Sequence, residues 1–491
     1  MTHFQLYIDG EFCDASDGGT LESINPANNT AWATSAAATE DDVDRAVRAA
    51  HHAMYEGEWS KLTATQRGAY LYKLADAVAE AAPRLGEIET KDSGKLAAET
   101  RMQSAYVADY YRYFAGMADK IHGRTLPIDK PDMHVFTTPE PIGVVGAIVP
   151  WNAEMFLTAT KVGPALAAGC AVVIKASEHA PGPLLEFAKV VHEVGFPPGV
   201  INLITGFGEP SGRALTSHPL VARVAFTGGL DAARHVVRNT AENFAHVSLE
   251  LGGKSPILVF DDADLEGAVN GAIAGNFGAT GQSCVAGTRV FVQRSIHDEF
   301  LAKLVERAEA IRIGDPLDAD TQIGPLATVG QRDNIERVVA ESIEQGATLH
   351  TGGRRPDGFE HGNYYAPTIL GCPDQSITST RVELFGPVMS LITFDTEEEA
   401  IKMANDTAFG LGSGVFTENL ARAHRVSAAI HSGIVWVNTY RAISPISPFG
   451  GFGNSGYGRE AGVDAVEDYI RTKAVWINTS SEPMANPFVM R

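Results

Sequence analysis

Between residues 40 and 118 apolar side chains recur at helical spacing. In EDDVDRAVRAAHHAM they fall three and four positions apart, and Thr39, just before, supplies the side-chain oxygen that a helix N-terminus needs. TQRGAYLYKLADAVAEAAPRLGEIE and YVADYYRYFAGMADKI keep the same period. Pro127, Pro131, Pro139 and Pro141 then break it, so residues 123–141 read as a β-rich excursion, a candidate hairpin arm.

From residue 142 the texture alternates. IGVVGAIVP, AVVIKAS, GVINLITG, RVAFTGG and HVSLELGG are short runs rich in β-branched residues, and the helically spaced FLTATKVGPALAAG, APGPLLEFAKVVHEVG, SGRALTSH and DAARHVVRNTAENF separate them. This alternation predicts an α/β fold with a parallel sheet covered by helices on both faces. Residues 256–445 repeat the texture, with PILVF, RVFV, SLITF and GIVWVN as strands and DEFLAKLVERAEAI and RDNIERVVAESIEQG as helices, so a second α/β domain is expected.

A chain of 491 residues is consistent with two to four domains at about 150 residues each. The net charge of −21 argues against a nucleic-acid partner, which needs clustered Lys and Arg. Cys13, Cys170, Cys284 and Cys372 show no CxxC spacing, and the adjacent His51 and His52 diverge by about 100° on a helix, so no metal site is expected. No apolar run reaches membrane-spanning length, and the N-terminus lacks a signal-peptide pattern; a cytoplasmic chain without a membrane partner is the expectation.

Several stretches carry chemistry, each with a plainer alternative. FTGG (Phe226 to Gly229) and TGFGEPSG (with Gly208) join a strand to a helix, where backbone N–H groups can face a pyrophosphate or simply turn the chain. In IKASE, Lys175 and Glu178 suit ribose hydroxyls, or solvent. The match to GxGxxG at Gly451, Gly453 and Gly456 follows no well-placed strand and is a weak dinucleotide signature. Asn152, after Pro150 and Trp151, is either a turn cap or an oxyanion donor, and such a donor is worth on the order of 10²–10³ in rate. Glu250, among leucines in SLELGG, is either a surface glutamate or a general base with a raised pKa. Cys284, amid the small residues of GNFGATGQSCVAGTRV, is either an inert buried thiol or a nucleophile.

Taken in order, VPWN, IKASE, FTGG, LELGGK, GQSC, ELFGPV and PFGGFGNSGYGRE resemble the NAD(P)-dependent aldehyde dehydrogenase superfamily, in its broad-specificity, hydrolytic branch. The resemblance implies a Rossmann-like NAD-binding domain (1–122, 142–252 and 455–469), a second α/β catalytic domain (253–454), and a small β oligomerisation arm with tail (123–141 and 470–491). It implies Cys284 as nucleophile, Asn152 with the Cys284 N–H as oxyanion hole, Glu250 as the base that activates water, and Lys161 as a lysine linked to that centre. The cofactor, NAD with NADP possible, would be held by Val149, Pro150 and Trp151, by Lys175, Ser177 and Glu178, by Gly208, and by Phe226, Thr227, Gly228 and Gly229. Leu251 and Gly252, with Glu383 and Phe385, complete that set. Leu157, Thr160, Ser283, Val285, Arg441 and Phe449 would line the aldehyde tunnel.

Glu178 repels a 2′-phosphate and so favours NAD, and a homodimer or homotetramer is implied. Two departures from the family pattern stand out: Gly229 where serine is frequent, and Glu154 where proline is frequent. The rival readings are a CoA-acylating semialdehyde dehydrogenase, which typically lacks the base matched by Glu250, and a related binding protein without turnover.

Overall fold

The computed structural model describes residues 1–484 and 486–489. Residues 485, 490 and 491, which the sequence reading places in the tail, lie outside the described residues.

The predicted helical region resolves into Glu40–Tyr55, Ala64–Ser93 and Ala97–Met117. Thr39 caps the first of them reciprocally: its hydroxyl accepts from the Asp42 N–H, and the Asp42 carboxylate accepts from the Thr39 N–H at 2.9 Å. Thr63 and Gln66 repeat the device on the second helix, which ends at Gly94 in the left-handed region (φ 78°).

Two sheets organise the molecule. The first has eight strands, with the parallel set His246–Glu250, Val221–Thr227, Val144–Ile148, Ala171–Ala176 and Ile201–Thr205 at its centre, in that spatial order. Its faces divide by alternate residues. Val145, Val172 and Ile174 pack into one apolar cluster, and Val144, Ala171 and Val173 into the other. Burial on both faces is why these strands read as unbroken apolar runs. The strand order reverses between Val144–Ile148 and Val221–Thr227, and ligands of open α/β sheets sit at such a crevice.

The second sheet has seven strands in the order Thr348–Thr351, Thr368–Gly371, Val388–Phe394, Arg289–Gln293, Pro256–Val259, Gly412–Phe416 and Ile434–Val437. All are parallel to their neighbours except the first, which is an antiparallel edge. Residues 449–460 belong to both halves of the molecule. Phe452–Gly453 pairs with Phe409–Gly410, and Gly456–Tyr457 pairs antiparallel with the end of His246–Glu250 in the first sheet. The glycines of the literal GxGxxG match are therefore turns of this strap, with Gly453 and Gly456 at positive φ.

The proline-rich excursion is a hairpin of Thr125–Leu126 and Met133–Pro141. Ile470–Asn478 adds to it antiparallel over nine residues, from Ile470 opposite Pro141 to Asn478 opposite Met133. Trp476 and Ile477 on that strand are exposed. Among the described residues no helix is long and apolar enough to cross a membrane, and no cluster of His, Cys, Asp or Glu could hold a metal ion.

Candidate active site

A cavity of about 830 Å³ opens at the C-terminal ends of the first sheet's strands, beside the reversal of strand order. Its walls gather Asn152, Glu250 and Cys284 from three distant parts of the chain.

Cys284 reaches the cavity through an unusual turn. The helix Leu265–Phe277 ends, and Ala279 and Thr280 follow with φ of 53° and 56°, a left-handed pair that residues with a Cβ rarely adopt. Outside bonds hold the pair in place: the Ala279 N–H donates to Glu99 at 3.1 Å, and the Thr280 hydroxyl to the Gly324 carbonyl at 3.2 Å. The thiol stands at the end of this turn. Burial, then the carboxylates of Glu250 and Glu383, push it up to about 12, while Arg441 and a backbone N–H oppose the shift. Among the described residues the Cys284 N–H makes no hydrogen bond. Asn152 donates one side-chain N–H to the Gln282 carbonyl at 3.1 Å, which ties it to the thiol-bearing segment and leaves its second N–H available.

Glu250 ends its strand at the cavity wall, and neither carboxylate oxygen has a hydrogen-bond partner among the described residues. Burial raises its pKa well above the usual glutamate value and the Glu460 charge adds to that; Lys161 and Arg459 pull the other way. Lys161 does not line the cavity. It is fully buried one layer behind, paired with Glu460 and donating to the Thr227 hydroxyl at 2.6 Å. A lysine inside an apolar helix requires a counter-ion, but nothing in the pattern of residues singles out Glu460, which sequence reasoning missed.

The candidate cofactor residues divide into two sets. Pro150, Trp151, Thr227, Gly228, Gly229, Leu251, Gly252, Glu383 and Phe385 line the cavity. Trp151 and Phe385 meet edge to face at 5.5 Å, and Gln331 donates to the Phe385 carbonyl at 3.0 Å. Burial pushes Glu383 up to about 7; it accepts from the Gly253 N–H and lies against Gly252, where a Cβ would stand 1.9 Å from its oxygen. A side chain there would displace the Glu383 carboxylate. Lys175, Ser177, Glu178 and Gly208 lie outside this cavity, at the next strand ends, with Lys175 and Glu178 at 3.7 Å and the Ser177 hydroxyl accepting from the His179 N–H. Neither Phe226 nor Val149 lines the cavity: the Phe226 ring and the Val149 side chain pack in the core.

Of the candidate substrate residues, Leu157, Ser283, Val285, Arg441 and Phe449 line the cavity. Thr160 does not, which is a further correction: its hydroxyl donates to Glu460 at 2.6 Å, since one turn beyond Leu157 the buried carboxylate is its available partner. Lys95, Glu99, Met102, Gln103 and Tyr106, at and within the helix Ala97–Met117, also line the wall and were missed.

Glu154 turns away from the cavity into full burial, with both oxygens unpartnered among the described residues. Burial, then the nearby Glu89 charge, raises its pKa well above 4.5, against the pull of Lys95. The folded chain therefore holds a proton that the unfolded chain releases above that value, and this contribution to stability is lost as pH rises. Glu154→Gln keeps the shape without the titration. Its Tm relative to the unsubstituted protein should climb as pH rises above the ordinary glutamate value; a difference independent of pH would show the carboxyl to be ionised.

The comparisons agree with this geometry. A sequence profile of the aldehyde dehydrogenase family matches residues 12–475. The chain is 58% identical over 492 residues to the (Z)-2-((N-methylformamido)methylene)-5-hydroxybutyrolactone dehydrogenase of Acinetobacter baylyi, covering 100% of both. Among solved structures it matches betaine aldehyde dehydrogenase of Staphylococcus aureus in complex with NAD+ (TM-score 0.97, 38% identity, 99% of this chain and 96% of that one). It also matches an NAD+ complex of aldehyde dehydrogenase from Bacillus cereus (TM-score 0.95, 39% identity, 97% of each chain). Matched along nearly all of its length in sequence and in shape, the chain belongs to the aldehyde dehydrogenase family.

Proposed function

We propose that the protein oxidises an aldehyde to its acid with NAD, using Cys284 as nucleophile and Glu250 as the base for hydrolysis. The observation that carries this reading is the convergence of Cys284, Asn152 and Glu250 on one cavity. The Cys284 thiol gives its proton to solvent, the thiolate sulfur adds to the carbonyl carbon, and the oxygen that becomes negative takes the free N–H of Asn152 and the unpaired N–H of Cys284. Loss of hydride from that adduct leaves a thioester, an activated acyl group that water can attack. Glu250, unpartnered and with a raised pKa, accepts the water's proton.

The site fits a dinucleotide. Gly228 and Gly229 precede a helix that no side chain caps, so its first N–H groups remain open to a pyrophosphate. Gly252 leaves a bare face beside Glu383, and the Lys175–Glu178 pair suits a ribose. Bound there, NAD supplies the hydride acceptor. Glu178 disfavours the 2′-phosphate of NADP through like-charge repulsion.

The relative from Acinetobacter baylyi points to the substrate class. In a 5-hydroxybutyrolactone the carbon to be oxidised is tetrahedral, bearing a hydroxyl and the ring oxygen. Ring opening breaks the bond from that carbon to the ring oxygen and sends the hydroxyl proton to solvent, which leaves an aldehyde and a carboxylate. A thiolate adds to a trigonal carbonyl, so the reactive form is the open semialdehyde, and we assign this class to the protein.

The strap returns residues 455–469 to the first sheet, which supports the division into NAD-binding, catalytic and arm regions. The exposed Trp476 and Ile477 on the arm support a homodimer or homotetramer. The test is an aldehyde and semialdehyde panel assayed by nicotinamide absorbance with NAD and NADP, with and without CoA. NAD-preferring, CoA-independent acid formation is expected. A strict CoA requirement would replace hydrolysis by acyl transfer, and no turnover with any member would overturn the proposal.

A further inference from the structure

The cavity holds a cation with no counter-ion among the described residues. Arg441 lines it beside the nucleophile's segment, and among the described residues no carboxylate lies within 4.0 Å of its guanidinium. One Nη donates to the Ala274 carbonyl at 3.2 Å, and the group's other N–H donors have no partner among the described residues. The backbone holding it is fixed. Arg441 has φ 63°, the Trp436 indole donates to the Ala442 carbonyl at 2.8 Å, and the Tyr106 hydroxyl donates to the Ile443 carbonyl at 3.2 Å. Gly278, at the base of the turn that carries Cys284, makes room for the side chain: a Cβ there would stand 2.2 Å from an Arg441 Nη. The Arg441 charge also reaches the thiol, whose pKa it lowers.

We infer that Arg441 binds the substrate's own carboxylate, the group set free when the hydroxylactone opens, and so selects semialdehydes over neutral aldehydes. This rests on the semialdehyde reading given above. A planar guanidinium with spare donors matches a carboxylate in two parallel bonds, and a site walled largely by apolar side chains strengthens them. Among the described residues Lys95 is the other cation lining the cavity, and Glu99 faces it as well. Lys95 already donates to Glu89 at 3.0 Å and to Gln103 at 2.5 Å, and Glu99 accepts from the Ala279 N–H. That leaves Arg441 as the group whose charge is free for the ligand.

The experiment compares kcat/KM for 4-oxobutanoate with that for butanal, and for 5-oxopentanoate with pentanal, at saturating NAD. The semialdehyde-to-aldehyde ratio should fall about 10- to 100-fold in Arg441→Gln and by far less in Arg441→Lys, which keeps the charge. Gly278→Ala, which displaces the guanidinium from outside the loop, should lower the ratio in the same direction. A ratio within about twofold of the unsubstituted enzyme in Arg441→Gln, or an equal loss on both substrates, overturns the inference. If the Gln variant is inactive on every substrate, Arg441→Lys and Gly278→Ala decide between the same two outcomes. An unsubstituted enzyme that turns over butanal but shows no preference for 4-oxobutanoate removes the semialdehyde reading itself.

Discussion

Cys284→Ala forms no NADH above background with any aldehyde, a loss on the order of 10⁴ or more in kcat. The size of the effect follows from the absence of a substitute among the described residues. Cys170 and Cys372 are buried in the core, and Cys13 sits on an edge strand beside Arg45, away from the cavity. Oxyanion donors and bound cofactor stabilise nothing until a sulfur has added to the carbonyl. The alanine variant should still quench its tryptophan fluorescence on titration with NAD, because the proposed cofactor residues are separate from the thiol. Turnover within tenfold of the parent enzyme would remove Cys284 from the mechanism.

Glu250→Gln separates the two halves of the reaction. The amide keeps the shape of the side chain but cannot take a proton, so oxidation proceeds once per site and hydrolysis then stalls. Stopped-flow absorbance should show a burst of about one NADH per subunit, followed by a steady rate reduced by roughly 10²–10⁴. Hydroxylamine, which attacks thioesters without a base, should restore part of that rate. The parent enzyme's steady rate should rise with pH through a range above the ordinary glutamate value, because Glu250 must be ionised to act and burial raises its pKa. That limb should vanish in the variant. If burst and steady rate fall equally, Glu250 acts before hydride loss instead.

What the sequence made legible depended on length and on facing. The parallel strands from Val144 onward could be read because burial on both faces makes each an apolar run between helices. The N-terminal strands Thr2–Phe4, Leu6–Ile8 and Glu11–Cys13 have three residues each, too few to display a period. The helix Leu265–Phe277 was passed over because LEGAVNGAIAGNF is mostly small and apolar, with only Glu266 and Asn270 to mark its exposed side. In the site, Cys284, Glu250 and Asn152 became readable through the order of their motifs. Glu460 and the cavity wall contributed by Lys95, Glu99 and Gln103 depend on contacts between segments hundreds of residues apart, which no local pattern records.

The strap of residues 449–460 has a mechanical consequence. Its two short pairings fasten it to both halves within six residues, from Phe452 to Tyr457. The cleft walls are therefore stitched together by backbone pairing at Glu250 itself, which stands opposite Gly456. A hinge opening wide enough to admit an aldehyde would have to unzip one end of this stitch. Substrates must enter by the standing mouth of the cavity, and the two halves should melt as one cooperative body.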